Sequence, residues 1–159
     1  MLNSVIVVDD EASIRNAVEQ WLSLSGFDVQ LFSCAEDCLS QLPAHFAGVI
    51  VSDVRMPGMG GLALLNRLQQ LDPDLPVILL TGHGDVPMAV EAMRDGAYDF
   101  LEKPFSPEAL LSSLRRALEK RRLVLENRRL HEQADLRQQI DGRLLGMSRS
   151  LQTLRRQVM

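Results

Sequence analysis

Short apolar segments alternate with longer amphipathic segments along the first two thirds of the chain, at intervals of about 20 residues. The apolar segments are rich in Val, Ile and Leu and are bounded mostly by polar or turn residues, which is typical of buried parallel strands. They lie at residues 4–8, 28–32, 48–52, 76–80 and 98–101. Five such strands alternating with helices predict an α/β fold, with a doubly wound, five-stranded parallel sheet.

The segments between these strands carry apolar residues at helical spacing. Helices are predicted at about residues 12–25, 35–42, 61–71 and 86–95. Glycines lie directly after the first and the last of them, at positions 26 and 96, where helices often end. This pattern predicts that each strand is followed by one helix.

A longer helix is predicted after the fifth strand. Ser106 is a good N-cap, Pro107 suits the first helical position, and Glu108 favours the positive end of the helix dipole. No further Gly or Pro occurs before Gly142. The sequence therefore allows one helix of about 30 residues, well beyond the mean length of about 11 residues.

The second half of this helix is mostly charged and carries a short heptad pattern. Leu123 and Leu130 lie one heptad apart, and Asn127 occupies the other seam position between them. Such a seam predicts a short dimeric coiled coil, with the Asn setting its register. A solvated linker helix without a partner is the alternative, because the pattern covers only about two heptads.

Composition and charge limit the classes of protein to consider. The chain has 159 residues, no apolar run approaching the roughly 20 residues that span a bilayer, and only two cysteines, Cys34 and Cys38. No secretory signal is recognisable, so we expect a cytoplasmic protein with no membrane partner. Residues 1–106 carry a net charge of −10 and residues 107–159 one of +6. Since Glu interrupts the basic tail, we expect a solvated helical face and no direct DNA binding.

Polar side chains follow four of the predicted strands at the point where each strand ends. Ligands bind beyond the carboxyl ends of the strands in open parallel sheets, so these side chains are expected to share one pocket. They are Asp9 and Asp10 after the first strand, Asp53 after the third, Thr81 after the fourth and Lys103 after the fifth. A single Asp at a strand end is usually a turn residue, but the whole set at one edge predicts a functional site.

The chemistry of this set favours phosphoryl transfer. Carboxylates a few ångströms apart repel one another unless a cation lies among them, and Mg²⁺ prefers oxygen ligands of this kind. A carboxylate beside the cation can act as a nucleophile and form an aspartyl phosphate. The hydroxyl of Thr81 and the ammonium of Lys103 are suited to hold phosphoryl oxygens.

Four stretches of the chain resemble the receiver domain of bacterial two-component response regulators. They are "VVDDE", "VSDVRMPGMGG", "LLTGHGD" and "GAYDFLEKPF", which together span about residues 4–105. The resemblance implies the CheY-like strand order 2-1-3-4-5 and an extended C-terminal linker helix. It also implies a signalling domain that accepts phosphate from a sensor histidine kinase, in place of an enzyme with its own substrate.

The resemblance assigns the metal and phosphate sites residue by residue. Asp53 corresponds to the phosphorylated aspartate. Asp10 and Asp53 are implied as direct Mg²⁺ ligands, Asp9 as one that acts mainly through water, and Arg55 as a ligand through its backbone carbonyl.

The switch residues follow from the same resemblance. Thr81 matches the switch hydroxyl, Lys103 the family's lysine and Phe100 its rotating aromatic residue. The peptide bond before Pro104 is implied to be cis.

The stretch from Thr81 to Phe105 narrows the resemblance to receivers of the NtrC group of sigma-54-dependent activators, notably the C4-dicarboxylate transport regulators. We therefore expect a receiver over 1–120, a linker helix over 121–142 and, over 143–159, a stub of an AAA+ domain that interacts with sigma-54. The expected partners of the full-length protein are a second copy, sigma-54 RNA polymerase and DNA.

Three alternatives remain open at this point. A FixJ-type receiver would control a helix-turn-helix domain. A phosphatase of the haloacid dehalogenase type would need a second acid two residues after its nucleophile, where this chain has Arg55. A receiver-like scaffold that is not phosphorylated would be expected to have lost part of the pocket.

Overall fold

The computed structural model of the chain describes residues 3–82 and 84–145, with side chains as far as residue 134. The strands are β1 (Ser4–Val8), β2 (Asp28–Phe32), β3 (Gly48–Asp53), β4 (Val77–Thr81) and β5 (Asp99–Glu102). The helices are α1 (Ala12–Leu24), α2 (Ala35–Gln41), α3 (Gly61–Leu71), α4 (Val86–Arg94) and α5 (Pro107–Leu145). Most of the predicted stub at 143–159 lies outside the described residues.

The five strands form one parallel sheet in the order β2-β1-β3-β4-β5. This confirms the predicted fold class and strand order. Since all five strands run in the same direction, their carboxyl ends meet at one edge of the sheet.

Apolar side chains cover both faces of the sheet, because residues of a strand point alternately to opposite faces. Ile6, Ile50 and Leu79 belong to one buried cluster, which also includes residues of α2, α3 and α4. Val7 and Val51 belong to the other cluster, which includes residues of α1 and α5. The central strand β3 is buried along its whole length, which explains its nearly continuous apolar run.

The predicted element bounds differ from the observed ones by small amounts that have local causes. Strand β4 begins at Val77, one residue after the predicted start, and the preceding Pro76 has no N–H to donate to a neighbouring strand. Helix α5 has 39 residues and continues past Gly142, where the prediction ended it. One Gly within a helix costs only about 1 kcal/mol, so it does not by itself end the helix.

The described chain divides into two compact units. The first ends at Arg122 and holds the sheet, and the second begins at Leu123 and holds the rest of α5. In the second unit the predicted seam residues Leu123, Asn127 and Leu130 all have exposed side chains. The coiled coil and the domain bounds stay predictions. Among the described helices, none is both long and apolar enough to cross a membrane.

Candidate phosphorylation site

Three carboxylates meet at the carboxyl edge of the sheet. The pairing of β1 with β3 aligns Val8 with Ser52, and so brings Asp9, the next residue, beside Asp53. Asp9, Asp10 and Asp53 can each offer an oxygen such that the three oxygens lie within 4.8 Å of one another. The structure therefore brings together the three acids that the sequence predicted as a metal site.

Asp9 is the most deeply buried member of this cluster, with no exposed surface. Its Oδ1 atom accepts a hydrogen bond from the backbone N–H of Glu11 at 2.9 Å. Its Oδ2 atom is buried and has no hydrogen-bond partner within the described part of the chain. A buried carboxylate oxygen without a partner carries a large desolvation penalty, so this atom is a position where a cation would bind favourably.

The electrostatic cost of the cluster is visible in the pKa of Asp9. Burial, reinforced by the charges of Asp53 and Asp10, raises the pKa of Asp9 from 3.8 to about 6. The N–H of Glu11 and the ammonium of Lys103 act in the opposite direction but do not cancel the effect. The residues of the chain therefore compensate the cluster only in part.

Lys103 follows β5 directly and points back toward the carboxylates. Its Nζ atom lies 3.2 Å from Oδ2 of Asp53 and 4.0 Å from Oε1 of Glu11. Its backbone N–H donates to the carbonyl of Thr81 at 2.7 Å, and the peptide bond to Pro104 is cis. The ammonium is thus held beside one oxygen of Asp53.

Thr81 and Phe100 lie on the last two strands of the sheet. Thr81 is fully buried, and its hydroxyl donates to the carbonyl of Leu101 at 3.4 Å. The hydroxyl is therefore engaged with β5 and not with a carboxylate of the cluster. Phe100 is partly buried and packs against the apolar cluster that includes α3 and α4.

A glycine at the start of α3 supports the backbone around Asp53. The N–H of Gly61 donates to the carbonyl of Val54 at 2.9 Å. A Cβ atom at position 61 would overlap the carbonyl oxygen of Asp53. The close approach of α3 to the backbone at the end of β3 therefore requires glycine here.

Comparison with known proteins decides the family of the chain. The protein-family model described as the response regulator receiver domain matches residues 5–115 of the chain. The chain belongs to the response regulator receiver family. This confirms the resemblance that the four motifs predicted, and it identifies the domain as a signalling module.

The relatives of this receiver include regulators of C4-dicarboxylate transport. The chain is 52% identical over 155 residues to the C4-dicarboxylate transport transcriptional regulatory protein DctD of Rhizobium meliloti, with 96% of this chain covered. It is 53% identical to DctD of Pseudomonas aeruginosa, with 97% covered. The chain spans only 34% and 33% of these two proteins. The resemblance to receivers of the NtrC group is confirmed by these relatives.

The receiver is also similar to the solved structure of FixJ-N. The TM-score is 0.69 at 46% identity, and the match covers 73% of this chain and 93% of that one. This similarity is consistent with the CheY-like fold.

Arg55 has a contact that sequence reasoning missed. Its backbone carbonyl was the predicted ligand, but its side chain leaves the receiver pocket and pairs with Asp85, with Nε 2.6 Å from Oδ1. The only sequence signal was an acidic residue, Asp85, just before the predicted fourth helix. Such a residue is normally interpreted as a helix cap, so the pair could be found only from the structure.

The residues of the receiver pocket fit Mg²⁺. The available ligands are carboxylate oxygens. The unpartnered Oδ2 atom of Asp9 is buried, whereas Asp10 is an exposed residue. Mg²⁺ prefers one or two carboxylates together with water molecules, and the exposure of Asp10 leaves room for water. The receiver thus offers the acidic pocket at which receiver domains generally bind Mg²⁺.

Proposed function

We propose that this receiver accepts a phosphoryl group on Asp53 from a sensor histidine kinase in a Mg²⁺-dependent reaction in the cytoplasm. The observation that carries the proposal is the position of Asp53 between two further carboxylates and the ammonium of Lys103, 3.2 Å away. A nucleophile, a cation site and a fixed positive charge are the parts that phosphoryl transfer needs.

Asp10 and Asp53 would hold the metal directly, Asp9 mainly through water, and Arg55 through its backbone carbonyl. When bound, Mg²⁺ neutralises the carboxylates and the phosphoryl oxygens, so that an anionic nucleophile can approach an anionic group. The buried carboxylate of Asp9 supports this assignment, because its second oxygen has no hydrogen-bond partner among the described residues.

In the proposed reaction, a carboxylate oxygen of Asp53 forms a bond to phosphorus while the bond from phosphorus to the donor's imidazole nitrogen breaks. The electron pair of the broken bond stays on the imidazole. Lys103 then exchanges its contact with the Asp53 carboxylate for one with a phosphoryl oxygen, as its flexible side chain permits. This chain would assist its own phosphorylation without acting as an enzyme on a separate substrate.

The switch would pass through Thr81 and Phe100. The Thr81 hydroxyl, which now donates to Leu101, would turn toward the phosphoryl group, and Phe100 would turn inward. Together these movements would alter the surface formed by α4, β5 and α5. Structures with and without Mg²⁺ and beryllofluoride that show identical rotamers at both residues would contradict this step.

The phosphorylation site is tested by incubating the protein with Mg²⁺ and acetyl phosphate and mapping the modified residue by mass spectrometry. Asp53→Asn is expected to abolish incorporation. Asp28→Asn is the matched control, because it makes the same change on an exposed residue at the start of β2, and it is expected to incorporate phosphate normally. Normal labelling of Asp53→Asn at another residue would refute the assignment.

We further propose that the full-length protein is a sigma-54-dependent activator whose AAA+ domain is controlled by this receiver. The match to DctD supports this, since it covers 96% of the chain and so includes most of α5. The similarity to FixJ-N covers 73% and supports the alternative of a helix-turn-helix output. Sequencing the remainder of the coding region separates the two, because an ATP-binding glycine-rich loop would follow only in the activator.

A homodimer through the second half of α5 would connect the receiver to that output. Leu123 and Leu130 are about half exposed and lie one heptad apart, so the same face of α5 in a second copy would cover both. Sedimentation of a Leu123→Asp, Leu130→Asp double variant tests this. The unphosphorylated dimer is expected to be lost, whereas Leu71→Asp, at an exposed leucine of α3, should leave it intact. An unchanged dimer in the double variant would show that this helix only links the domains and does not form the dimer interface.

A further inference from the structure

An ion pair ties the loop after Asp53 to the start of α4. Nε of Arg55 lies 2.6 Å from Oδ1 of Asp85, and its Nη2 lies 3.8 Å from the sulfur of Met88. The side chain of Asp85 is 8% exposed, whereas that of Arg55 is 69% exposed. The guanidinium is therefore the solvent-exposed partner of the ion pair, and the carboxylate is the buried one.

Asp85 stands at the N-cap position of α4 but does not cap the helix. Its side chain makes no hydrogen bond to the first turn, and its backbone, at φ −99° and ψ 8°, is not extended. N-cap residues normally have an extended backbone and accept a hydrogen bond from the second or third helical N–H. Pro87 has no N–H, so the backbone of Met88 is the donor that such a cap would use.

Helix α5 shows the arrangement that α4 lacks. The hydroxyl of Ser106, directly before α5, accepts a hydrogen bond from the N–H of Ala109 at 3.1 Å. Asp is at least as good a capping residue as Ser. The difference between the two helices is therefore not one of residue type. Asp85 instead pairs with Arg55 through its carboxylate, and its backbone N–H donates to the carbonyl of Gly82 at 3.0 Å.

We propose that the Arg55–Asp85 ion pair holds Asp85 away from the N-terminus of α4, and that phosphorylation releases it to cap the helix. The inference rests on the proposed phosphorylation of Asp53. A phosphoryl group there adds negative charge two residues from Arg55 and offers its guanidinium a second anion. Thr81, four residues before Asp85, is drawn toward the same group, so the connection to Asp85 is displaced as well.

Release changes the start of α4 in a defined way. Asp85 adopts an extended backbone, and its carboxylate accepts the N–H of Met88 at the positive end of the helix. Since the carboxylate has two mutually exclusive partners, the start of α4 has two discrete arrangements. Arg55 is thereby a positioning residue for α4 through its side chain, a role separate from the proposed metal contact of its backbone carbonyl.

The proposal is tested by measuring hydrogen exchange at the backbone amide of Met88, with and without Mg²⁺ and acetyl phosphate. In the unphosphorylated wild type this amide is expected to exchange quickly, and in the phosphorylated protein about fivefold more slowly, the effect of one cap. Arg55→Gln removes the competing cation, so its Met88 amide should be protected without phosphorylation.

Two changes at Asp85 form a matched pair. Asp85→Asn loses the ion pair but keeps a good capping side chain, so it should be protected before phosphorylation, as Arg55→Gln is. Asp85→Ala loses both and should stay unprotected in either state. Fast exchange in unphosphorylated Arg55→Gln and Asp85→Asn would overturn the proposal.

Mass spectrometry of the same samples separates this inference from the function on which it rests. If Asp53 carries phosphate and the Met88 amide of the wild type exchanges as before, the release step is wrong while the proposed function stands. If Asp53 carries no phosphate under these conditions, the proposed function fails, and the release step fails with it.

Discussion

A charged side chain is buried at each of the two edges of the sheet, and the charges that surround it differ between the edges. At the carboxyl edge the buried group is the carboxylate of Asp9, and at the amino edge it is the guanidinium of Arg121. Each is fully buried, and among the described residues these two hold the only buried side-chain atoms without a hydrogen-bond partner, Oδ2 and Nη1.

The surroundings of the two groups differ in sign. Arg121 donates to the carbonyl of Phe46 at 3.0 Å and to the carboxylate of Asp72 at 2.7 Å, so it has an opposite charge beside it. Asp9 lies among like charges, and its pKa is raised to about 6. An unpartnered buried atom therefore indicates a ligand where the chain does not balance the charge, which distinguishes the acidic pocket from a structural ion pair.

The largest effect is expected from unbalancing the amino edge. Asp72→Asn keeps the shape of the side chain but leaves the Arg121 guanidinium buried without a counter-charge, which typically costs about 3–5 kcal/mol of unfolding free energy. Denaturant unfolding measures the loss. The same change at Asp74, two residues on and exposed, should alter stability by only about 0.5 kcal/mol. Equal losses at both positions would contradict the account of this edge.

At the carboxyl edge, removing a charge is expected to stabilise the metal-free protein. Asp9→Asn removes the buried carboxylate and should raise the unfolding free energy at pH 7 by at most about 3 kcal/mol, the value of a two-unit pKa shift. Asp10→Asn, on the exposed neighbour, should have a smaller effect. A destabilised Asp9→Asn variant would show that the chain balances this charge by itself.

The raised pKa of Asp9 predicts the direction of the pH dependence. Between pH 3.8 and about 6 the folded metal-free protein holds a proton on Asp9 that the unfolded chain has lost. The stability contributed by this group is therefore complete below about pH 4 and is lost as pH rises through about 6. The difference in unfolding free energy between wild type and Asp9→Asn, measured across this range, isolates the effect. A difference that does not vary with pH would reject it.

The smallest effect concerns a polar group at the carboxyl edge that is already satisfied. Ser106→Ala removes the cap bond to the N–H of Ala109 and should cost about 1 kcal/mol. Unlike the changes at Asp9, this loss should be the same with and without Mg²⁺. Thermal unfolding in both conditions measures it, and a Mg²⁺-dependent loss would place Ser106 in the pocket.

Contacts between residues at strand ends could be predicted from the sequence, and contacts of arginines that lie elsewhere in the fold could not. Lys103 and Asp53 lie 50 residues apart, yet their meeting was expected because each lies at the end of a strand and parallel strands end at one edge. Arg121 and Asp72 are 49 residues apart, but one lies within a helix and the other in a loop. Neither position has a periodicity that specifies its partner.

The same limit explains how the two arginines were interpreted. Arg121 belongs to the run "KRRL", which has the composition of a solvated helical face, although the side chain is fully buried. Arg55 was expected to act only through its backbone. Burial and pairing of a flexible charged side chain depend on tertiary packing, which local patterns do not encode.

The central claim is that the unbalanced carboxylates at the carboxyl edge form a Mg²⁺ site. A Mg²⁺ titration followed by the fluorescence of Trp21 tests it most directly, because Trp21 packs edge-to-face on Phe105, two residues after Lys103. The account predicts a saturable change in the wild type, an affinity at least about tenfold weaker in Asp10→Ala, and an unchanged affinity in Arg121→Met. The same affinity in wild type and Asp10→Ala would contradict it.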